Sequence, residues 1–222
     1  KGITMPIVVL NADEGSFDIM IANRLEPEIY NFNSLQSFTD AVRRHGEHLY
    51  PIHLKIDSGM HRLGFEERDT EALCRYLNDH RDALRVSSVF SHLCVADEPA
   101  QDDFTRSQIA LFRRMSDAVT ARIGYRPLRH IANSAGIVRF PEAHFDMCRL
   151  GVGLYGFGTP GLRPVSTLRT RIVQIKELAP DQTVGYGRAG VLTRPTRTAT
   201  IPVGYADGLD RHLGCGRWSM LV

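Results

Sequence analysis

The sequence has 222 residues, of which 43% are hydrophobic and 23% are charged, and its formal net charge at pH 7 is +2. This length and composition allow one large buried core or one and a half ordinary domains. The balanced charge, without basic runs interleaved with aromatic residues, excludes a nucleic-acid partner. No aliphatic stretch approaches the roughly 18 residues of a membrane span, so we expect no membrane partner.

The cysteines are widely spaced and form no Cys-x-x-Cys pair. They are Cys74, Cys94, Cys148 and Cys215. This usage is typical of free thiols in a reducing cytoplasm, and no targeting segment is recognisable. We therefore expect a cytoplasmic protein. Because the chain begins with Lys1 and its last residues read as an interrupted strand, we also expect it to be a piece of a longer protein.

Strands and helices alternate over the first part of the chain. Short apolar runs predict strands at residues 6–11, 28–31, 52–57, 84–93, 129–133 and 147–151. Helix-start signals and amphipathic periodicity predict helices after 11–14, from about 33, over about 67–78, over about 102–123, and over 134–140. Six strands joined by helices require a parallel sheet, which is either doubly wound or most of an eight-stranded barrel. No Gly-x-Gly-x-x-Gly follows any strand, which argues against a dinucleotide-binding sheet.

The pattern changes after residues 161–164. Segments rich in Val, Thr and Ile follow, with an alternation of period two, at 168–176, 198–205 and 217–222. Such segments predict strands of a separate β domain. We therefore place the domain boundary between 164 and 165.

The third predicted strand carries an unusual lysine. Its aliphatic residues alternate with His53, Lys55 and Asp57, so the three polar side chains share one face. In a closed parallel barrel that face can be the lumen, where an unpaired ammonium costs on the order of several kcal/mol and must find partners or be modified. The turn after the strand places Arg62 just beyond its carboxyl end, where α/β folds bind ligands.

Three other positions follow strands and suggest a site. His92 ends the fourth strand, a place where histidine is more often structural. Ser134 opens a short helix, where it either caps the helix or helps to hold a phosphate. Arg149 lies on an apolar stretch and is followed by glycines such as Gly151, which allow backbone amides to approach an anion. Phosphate sites after the last strands are common in this barrel.

Two tyrosines stand next to glycines in the predicted β domain. Tyr186 lies between two glycines and is free to project its hydroxyl, although many turns look the same. Tyr205 and Asp207 form the analogous feature after the next strand.

Taken in order, these segments resemble alanine racemases, a family of pyridoxal-phosphate enzymes that couple a (β/α)8 TIM-type barrel to a β domain. The first is the Leu-Lys-x-Asp-Ser/Thr-Gly-Met-x-Arg-x-Gly stretch at 54–64. The others are 91–98, 130–134, 149–156, 185–187 and 201–208. The resemblance implies an α/β fold, with a partial barrel over 1–164 and the beginning of a mainly-β C-terminal domain over 165–222.

The resemblance also implies how the substrate is held. Lys55 matches a lysine that is carbamylated in many members, so that its cationic charge becomes an anionic group that orients Arg62. Arg62 matches the arginine that meets the carboxylate of the amino-acid substrate.

The cofactor implied by the resemblance is pyridoxal 5'-phosphate. Ser134, Gly151 and Val152 match contacts to its phosphate. Arg149 matches the arginine that faces the pyridine nitrogen, and His92 matches the hydrogen-bonding partner of that arginine.

The β domain would complete the active site of another subunit. Tyr186 matches the tyrosine that exchanges the α-proton on one face of the substrate, and Tyr205 and Asp207 match residues of the entryway. In this family the tyrosine serves the partner subunit, which implies a homodimer with shared active sites. The implied activity is interconversion of L-alanine and D-alanine, which supplies D-alanine for peptidoglycan; the sequence does not distinguish alanine from serine.

The sequence departs from the family at one point. The pattern Lys-x-Asn-Ala-Tyr-Gly, whose lysine binds the cofactor covalently and acts as the opposing base, is absent, and the only lysines besides Lys55 are Lys1 and Lys176. We expect that segment before Lys1 and further β strands beyond residue 222. We therefore expect this chain alone to be inactive.

Two alternatives remain open from the residues. The first is a non-catalytic barrel that carries pyridoxal phosphate, although such carriers lack an appended β domain. The second is a metal-dependent barrel hydrolase that uses Asp57, His92 and Asp97. The absence of a His-x-His pair argues against this alternative, and we expect no metal.

Overall fold

The computed structural model describes residues 2–159, 161–214 and 216–220. The chain divides into two compact units, 1–165 and 166–222.

The first unit is built on a parallel sheet whose strands follow one another in chain order, β1-β2-β3-β4-β5. The strands are β1 (Val8–Val9), β2 (Glu26–Ile29), β3 (Tyr50–Lys55), β4 (Leu84–Phe90) and β5 (Leu128–His130). Helices α1 (Phe17–Ala22), α2 (Phe32–Arg44), α3 (Thr70–Asp79) and α4 (Asp102–Ile123) connect them, and α5 (Ser134–Arg139) follows β5. A doubly wound sheet would reverse its strand order, whereas a barrel keeps it. The predicted α/β fold with a partial TIM-type barrel is confirmed.

The helices cover the outer face of this sheet because each carries an apolar stripe. In α2 the side chain of Asn31 caps the first turn by accepting from the Ser34 amide at 2.7 Å, and Leu35, Phe38 and Val42 are fully buried at helical spacing. The longest helix, α4, ends at Gly124, whose φ of 81° closes the helix in the left-handed region. The resulting core lies between the helices and the apolar face of the sheet.

The sixth predicted strand, 147–151, is wrong. This segment does run beside the chain that follows β5, since the Asp146 amide donates to the Arg129 carbonyl and the Arg149 amide to the Ala132 carbonyl, both at 3.0 Å. Two isolated hydrogen bonds do not make a ladder, and a 3₁₀ turn at Val152–Tyr155 follows at once. The apolar side chains of Met147 and Leu150 belong to a loop and are exposed.

The second unit is mainly β, as predicted, although its strands are displaced from the expected bounds. β6 (Gln174–Leu178) pairs antiparallel with β9 (Thr196–Thr200), and β7 (Thr183–Val184) pairs with β8 (Gly190–Val191). The expected strand at 198–205 ends early because Tyr205–Asp207 forms a 3₁₀ turn. Residues 217–220 form no strand, and the rest of the predicted 217–222 segment lies outside the described residues.

Candidate active site

The inner face of the parallel sheet is polar across four neighbouring strands. Side chains alternate along a strand, so every second residue of β2 to β5 points to this face. The register pairs Lys55 with Phe90 and Phe90 with His130, which brings the polar residues of neighbouring strands together. The ionisable and hydroxyl side chains on this face are Glu26, Glu28, His53, Lys55, Ser88 and His130.

An irregularity between β3 and β4 sets the alignment of two of these residues. Ile52 pairs with Val86, but His53 pairs with Ser88, so Ser87 is an additional residue in β4. Such a bulge shifts the following side chains to the other face. Ser88 therefore lies beside His53, and their Oγ and Nδ1 atoms are 2.6 Å apart.

Lys55 lies on this inner face and is 8% exposed. Its Nζ atom is 3.3 Å from Oε1 of Glu28, a carboxylate that is itself almost fully buried, and 4.6 Å from the centre of the Phe90 ring. Burial lowers the pKa of Lys55, the Glu28 carboxylate opposes this shift, and the cations of Arg149 and Arg62 reinforce it. The lysine thus has the buried partner that its position requires.

Arg149 is held at the carboxyl ends of β4 and β5. One of its terminal nitrogens, Nη1, donates to Nδ1 of His130 at 2.6 Å, and the other, Nη2, donates to the Ser91 carbonyl at 2.6 Å and to Nδ1 of His92 at 3.3 Å. Burial lowers the pKa of Arg149 to about 10, while Glu28 raises it. The guanidinium therefore stays charged at neutral pH, with its orientation fixed by three acceptors.

Both histidines that contact Arg149 are uncharged at neutral pH. Burial is the main cause that lowers the pKa of His92 to about 4 and that of His130 to about 3, and the Arg149 cation adds to both shifts. A guanidinium has no acceptor, so each ring must present an unprotonated nitrogen to it. The resemblance implied that His92 is a hydrogen-bonding partner of Arg149, and the structure brings the two side chains together.

Ser134 organises the glycine-rich loop that follows Arg149. The Ser134 hydroxyl oxygen accepts from the amides of Gly151 and Gly153, each at 3.0 Å. The helix cap is Asn133, whose side chain accepts from the Gly136 amide at 3.0 Å, so the reading of Ser134 as a simple cap is wrong. A side chain at Gly153 would place its Cβ 3.2 Å from the Ser134 hydroxyl, and Val152 is exposed beside it.

Arg62 lies in the turn after β3 and is exposed. Asp57 builds this turn, since its Oδ1 atom accepts from the amides of Gly59 at 2.9 Å and His61 at 3.0 Å. At Gly64 the backbone has a φ of 132° and passes so close that an added Cβ would lie 2.4 Å from the Asp57 nitrogen. The turn therefore holds Arg62 near the end of β3, where its charge reaches Lys55 and His92.

The remaining predicted residues lie in the second unit. Tyr186 is 92% exposed in a 3₁₀ turn, between Gly185 at φ 82° and Gly187 at φ 64°. Tyr205 is also exposed, and Asp207 closes its turn by accepting from the Gly204 amide at 2.9 Å. Both tyrosine rings are thus presented outward by short turns.

Sequence reasoning missed Glu26, Glu28 and Ser88, and it did not assign a role to His130. The signal that the two glutamates share one face was present, because Glu26-Pro27-Glu28 has the alternation of a strand. Ser88 could not be found this way, since its alignment depends on the bulge.

The donor set of the metal-hydrolase alternative is not assembled. Within residues 2–159, 161–214 and 216–220, no group of three or more His, Cys, Asp or Glu side chains is arranged to hold a metal ion. In the same ranges, no helix has both the length and the apolar character needed to cross a membrane. Cys74, Cys94 and Cys148 are free thiols, and Cys215 lies outside the described residues.

These features define a barrel-type α/β protein with a half-buried arginine and a glycine-rich loop at the carboxyl ends of its strands, followed by a β segment. Two family models match the chain: "Alanine racemase, N-terminal domain" over residues 1–159 and "Alanine racemase, C-terminal domain" over 165–222. The chain therefore belongs to the alanine racemase family.

Individual relatives give the same result. The alanine racemase of Syntrophobacter fumaroxidans is 38% identical, over 96% of this chain and 58% of its own length. The crystal structure of alanine racemase from D-cycloserine-producing Streptomyces lavendulae superposes with a TM-score of 0.88 at 32% identity, over 95% of this chain and 58% of that one. The chain thus spans little more than half the length of these relatives.

A third similarity concerns the fold alone. The alanine racemase of Bartonella henselae, a structure with covalently bound pyridoxal phosphate, has a TM-score of 0.79 at 23% identity, over 96% of this chain and 59% of that one.

Proposed function

We propose that this chain is part of a pyridoxal-phosphate-dependent enzyme that interconverts L-alanine and D-alanine in the cytoplasm and supplies D-alanine for peptidoglycan. Membership of the family supports the reaction. The single observation that carries the proposal is Arg149, a half-buried cation whose direction is fixed by His130, His92 and the Ser91 carbonyl. Such a fixed charge suits one ring atom of a bound cofactor better than it suits general packing.

The residues present fit pyridoxal phosphate. Ser134 and the amides around Gly151 and Val152 would hold the phosphate, because glycines let the backbone approach it and the hydroxyl is already in place. Arg149 would face the pyridine nitrogen, with His92 at its side. When bound, the cofactor supplies the electron sink for proton removal from the α-carbon.

Arg62 would bind the carboxylate of the substrate, and its exposed guanidinium in a turn built by Asp57 suits a ligand that enters from solvent. Carbamylation of Lys55 would place a second anion beside Glu28, which now lies 3.3 Å from Nζ. We therefore propose that the modification and the Lys55–Glu28 ion pair exclude each other.

Tyr186 would move the α-proton on one face of the substrate, in the active site of a partner subunit. Its almost complete exposure on an outward turn supports a role toward another chain. Tyr205 and Asp207 would line the entryway. The catalytic unit would then be a homodimer with two shared sites.

The first test measures racemisation by the full-length protein. We expect activity with alanine, measured in parallel with serine, and a cofactor absorbance band. Arg62→Ala should lower racemisation while the band persists. Arg75→Ala is the matched control, because Arg75 is an exposed arginine on α3 whose partner is Glu71. Absorbance without racemisation of either amino acid would favour the non-catalytic carrier, and equal activity of both variants would remove Arg62 from the site.

The second test concerns the shared site. Tyr186→Phe should impair proton removal from one enantiomer more directly than from the other. Mixing this subunit with one that lacks the cofactor-binding lysine should restore measurable activity, because one site of the heterodimer regains both bases. No recovery after confirmed subunit exchange would contradict a site shared between subunits.

A further inference from the structure

A continuous chain of hydrogen bonds runs across the inner face of the sheet from Arg149 to Glu26. Nη1 of Arg149 is 2.6 Å from Nδ1 of His130, and Nε2 of His130 is 3.0 Å from Oγ of Ser88. The same Oγ is 2.6 Å from Nδ1 of His53, whose Nε2 is 2.6 Å from Oε2 of Glu26. The chain therefore joins a cation to a carboxylate through three uncharged or titratable groups on β5, β4 and β3.

The interior members of this chain are shielded from solvent. Ser88 is 1% exposed, and both His53 and His130 are buried. At such positions each donor and acceptor must be satisfied by the protein, because a buried polar group without a partner destabilises the fold. The protons can therefore be assigned by elimination.

The guanidinium of Arg149 can only donate hydrogen bonds. Nδ1 of His130 must accept, so the proton of this neutral ring is on Nε2 and is donated to Ser88. The Ser88 oxygen has accepted one hydrogen bond, and its own hydrogen is free for Nδ1 of His53. That nitrogen accepts, so the proton of His53 is on Nε2 and is donated to the Glu26 carboxylate. Every donor points away from the arginine.

A charged His53 does not fit this arrangement, although its ring touches a carboxylate. Its Nδ1–H would also point at the Ser88 oxygen, which already receives the proton of His130. The Ser88 hydrogen would then lack its acceptor in a buried site. The direction imposed at Arg149 thus decides the protonation of a ring three side chains away.

We propose that Glu26, His53 and Ser88 are positioning residues that fix Arg149 through this one-way chain. Glu28 has a different task, since it pairs directly with Lys55 at 3.3 Å. The chain of hydrogen bonds consists of contacts within the first unit. Only the identity of the ligand that Arg149 would face rests on the proposed function. Because Nη1 of Arg149 is held by His130 at the end of this chain of hydrogen bonds, the guanidinium has less freedom to rotate away from a bound ring.

The test is nitrogen NMR of the full-length protein labelled with ¹⁵N in histidine at neutral pH. We expect both His53 and His130 to be neutral, with the proton on Nε2. Ser88→Ala should move the Nδ1 signal of His53, because that nitrogen loses its donor. Ser116→Ala is the matched control, because it removes an equally buried hydroxyl that lies on α4 and donates to the Arg113 carbonyl. Charged His53 in the unchanged protein, or identical spectra for the two variants, would overturn the proposal.

A second pair of variants tests the end of the chain. Glu26→Gln retains an acceptor for Nε2 of His53, so His53 should keep its tautomer. Glu26→Leu removes this acceptor, so the tautomer of His53 should change. The dissociation constant of pyridoxal phosphate should rise several-fold in Ser88→Ala relative to Ser116→Ala, and equal constants would refute positioning of Arg149. If no variant binds the cofactor, the proposed function fails, and the histidine tautomers alone decide whether the chain exists.

Discussion

Replacing Glu28 by glutamine tests how much the inner face of the sheet depends on charge. Glu28→Gln keeps the shape of the side chain and an oxygen for the Asn11 amide, which now donates to Oε2 at 2.5 Å. It removes the negative charge 3.3 Å from Nζ of Lys55. Lys55 would then be a buried ammonium without its counter-charge.

The expected cost follows from distance and burial. Two unit charges 3.3 Å apart attract by about 5 kcal/mol at an effective dielectric constant of about 20. Removing one partner of a buried pair destabilises proteins by about 3–5 kcal/mol. Glutamine still accepts a hydrogen bond, and the lysine can release its proton. We therefore expect Glu28→Gln to lower the free energy of unfolding by about 3 kcal/mol.

The loss should depend on pH in a defined direction. Burial already lowers the pKa of Lys55 below the ordinary 10.5, and loss of Glu28 lowers it further. Between the folded and unfolded pKa values the unfolded chain binds more protons, so stability rises with pH in this window. The window is wider in the variant, and the difference in stability between the two proteins should shrink as the pH approaches 10.5.

Urea unfolding at several pH values measures this difference. Glu71→Gln is the matched control, because Glu71 pairs with Arg75 at a similar distance of 3.2 Å on the exposed surface of α3, where such pairs contribute little. Lys55→Met combined with Glu28→Gln should recover part of the loss. Equal effects of Glu28→Gln and Glu71→Gln, or a difference that grows with pH, would refute the argument.

Two further predictions concern Lys55 on β3 and the turn that follows this strand. Because Glu28 repels an added anion, ¹³C NMR after supply of ¹³CO₂ should detect more carbamate on Lys55 in Glu28→Gln than in the unchanged protein; equal labelling would show that Glu28 does not oppose the modification. Gly64→Ala should destabilise by about 2–3 kcal/mol in urea unfolding, since its Cβ collides with backbone. Gly46 also has a positive φ, but a Cβ added there would meet no atom within 4 Å. Gly46→Ala should therefore lower the free energy of unfolding by less than Gly64→Ala, and equal decreases would contradict a steric cause.

Much of the first unit could be predicted because its signals are local. Helix α4 has the predicted bounds, since two aspartates open it and Gly124 ends it in the left-handed conformation. The inward position of Lys55 followed from the alternation of β3. The false strand at 147–151 arose because an apolar run suggests a buried strand, whereas Met147 and Leu150 are exposed in a loop.

The partners of the polar residues could not be predicted, because they depend on register. Glu28 meets Lys55 only through the alignment of β2 with β3, which no local pattern specifies. The pairing of Ser134 with two glycine amides likewise depends on the path of the loop after Arg149. The roles of Arg62 and Tyr186 stay predictions, since both were inferred by resemblance.

The bulge at Ser87 ties the site to the length of one strand. A ladder without the bulge and with the same number of residues would pair His53 with Ser87 and Leu54 with Ser88, so Ser88 would turn toward the helices. Deleting Ser87 would instead place Ser88 directly after Val86, and Ile52–Val86 and His53–Ser88 would become consecutive pairs of a regular ladder. The hydrogen bonds from Arg149 to Glu26 therefore tolerate a β4 that is one residue shorter, but not a β4 of the present length without its bulge.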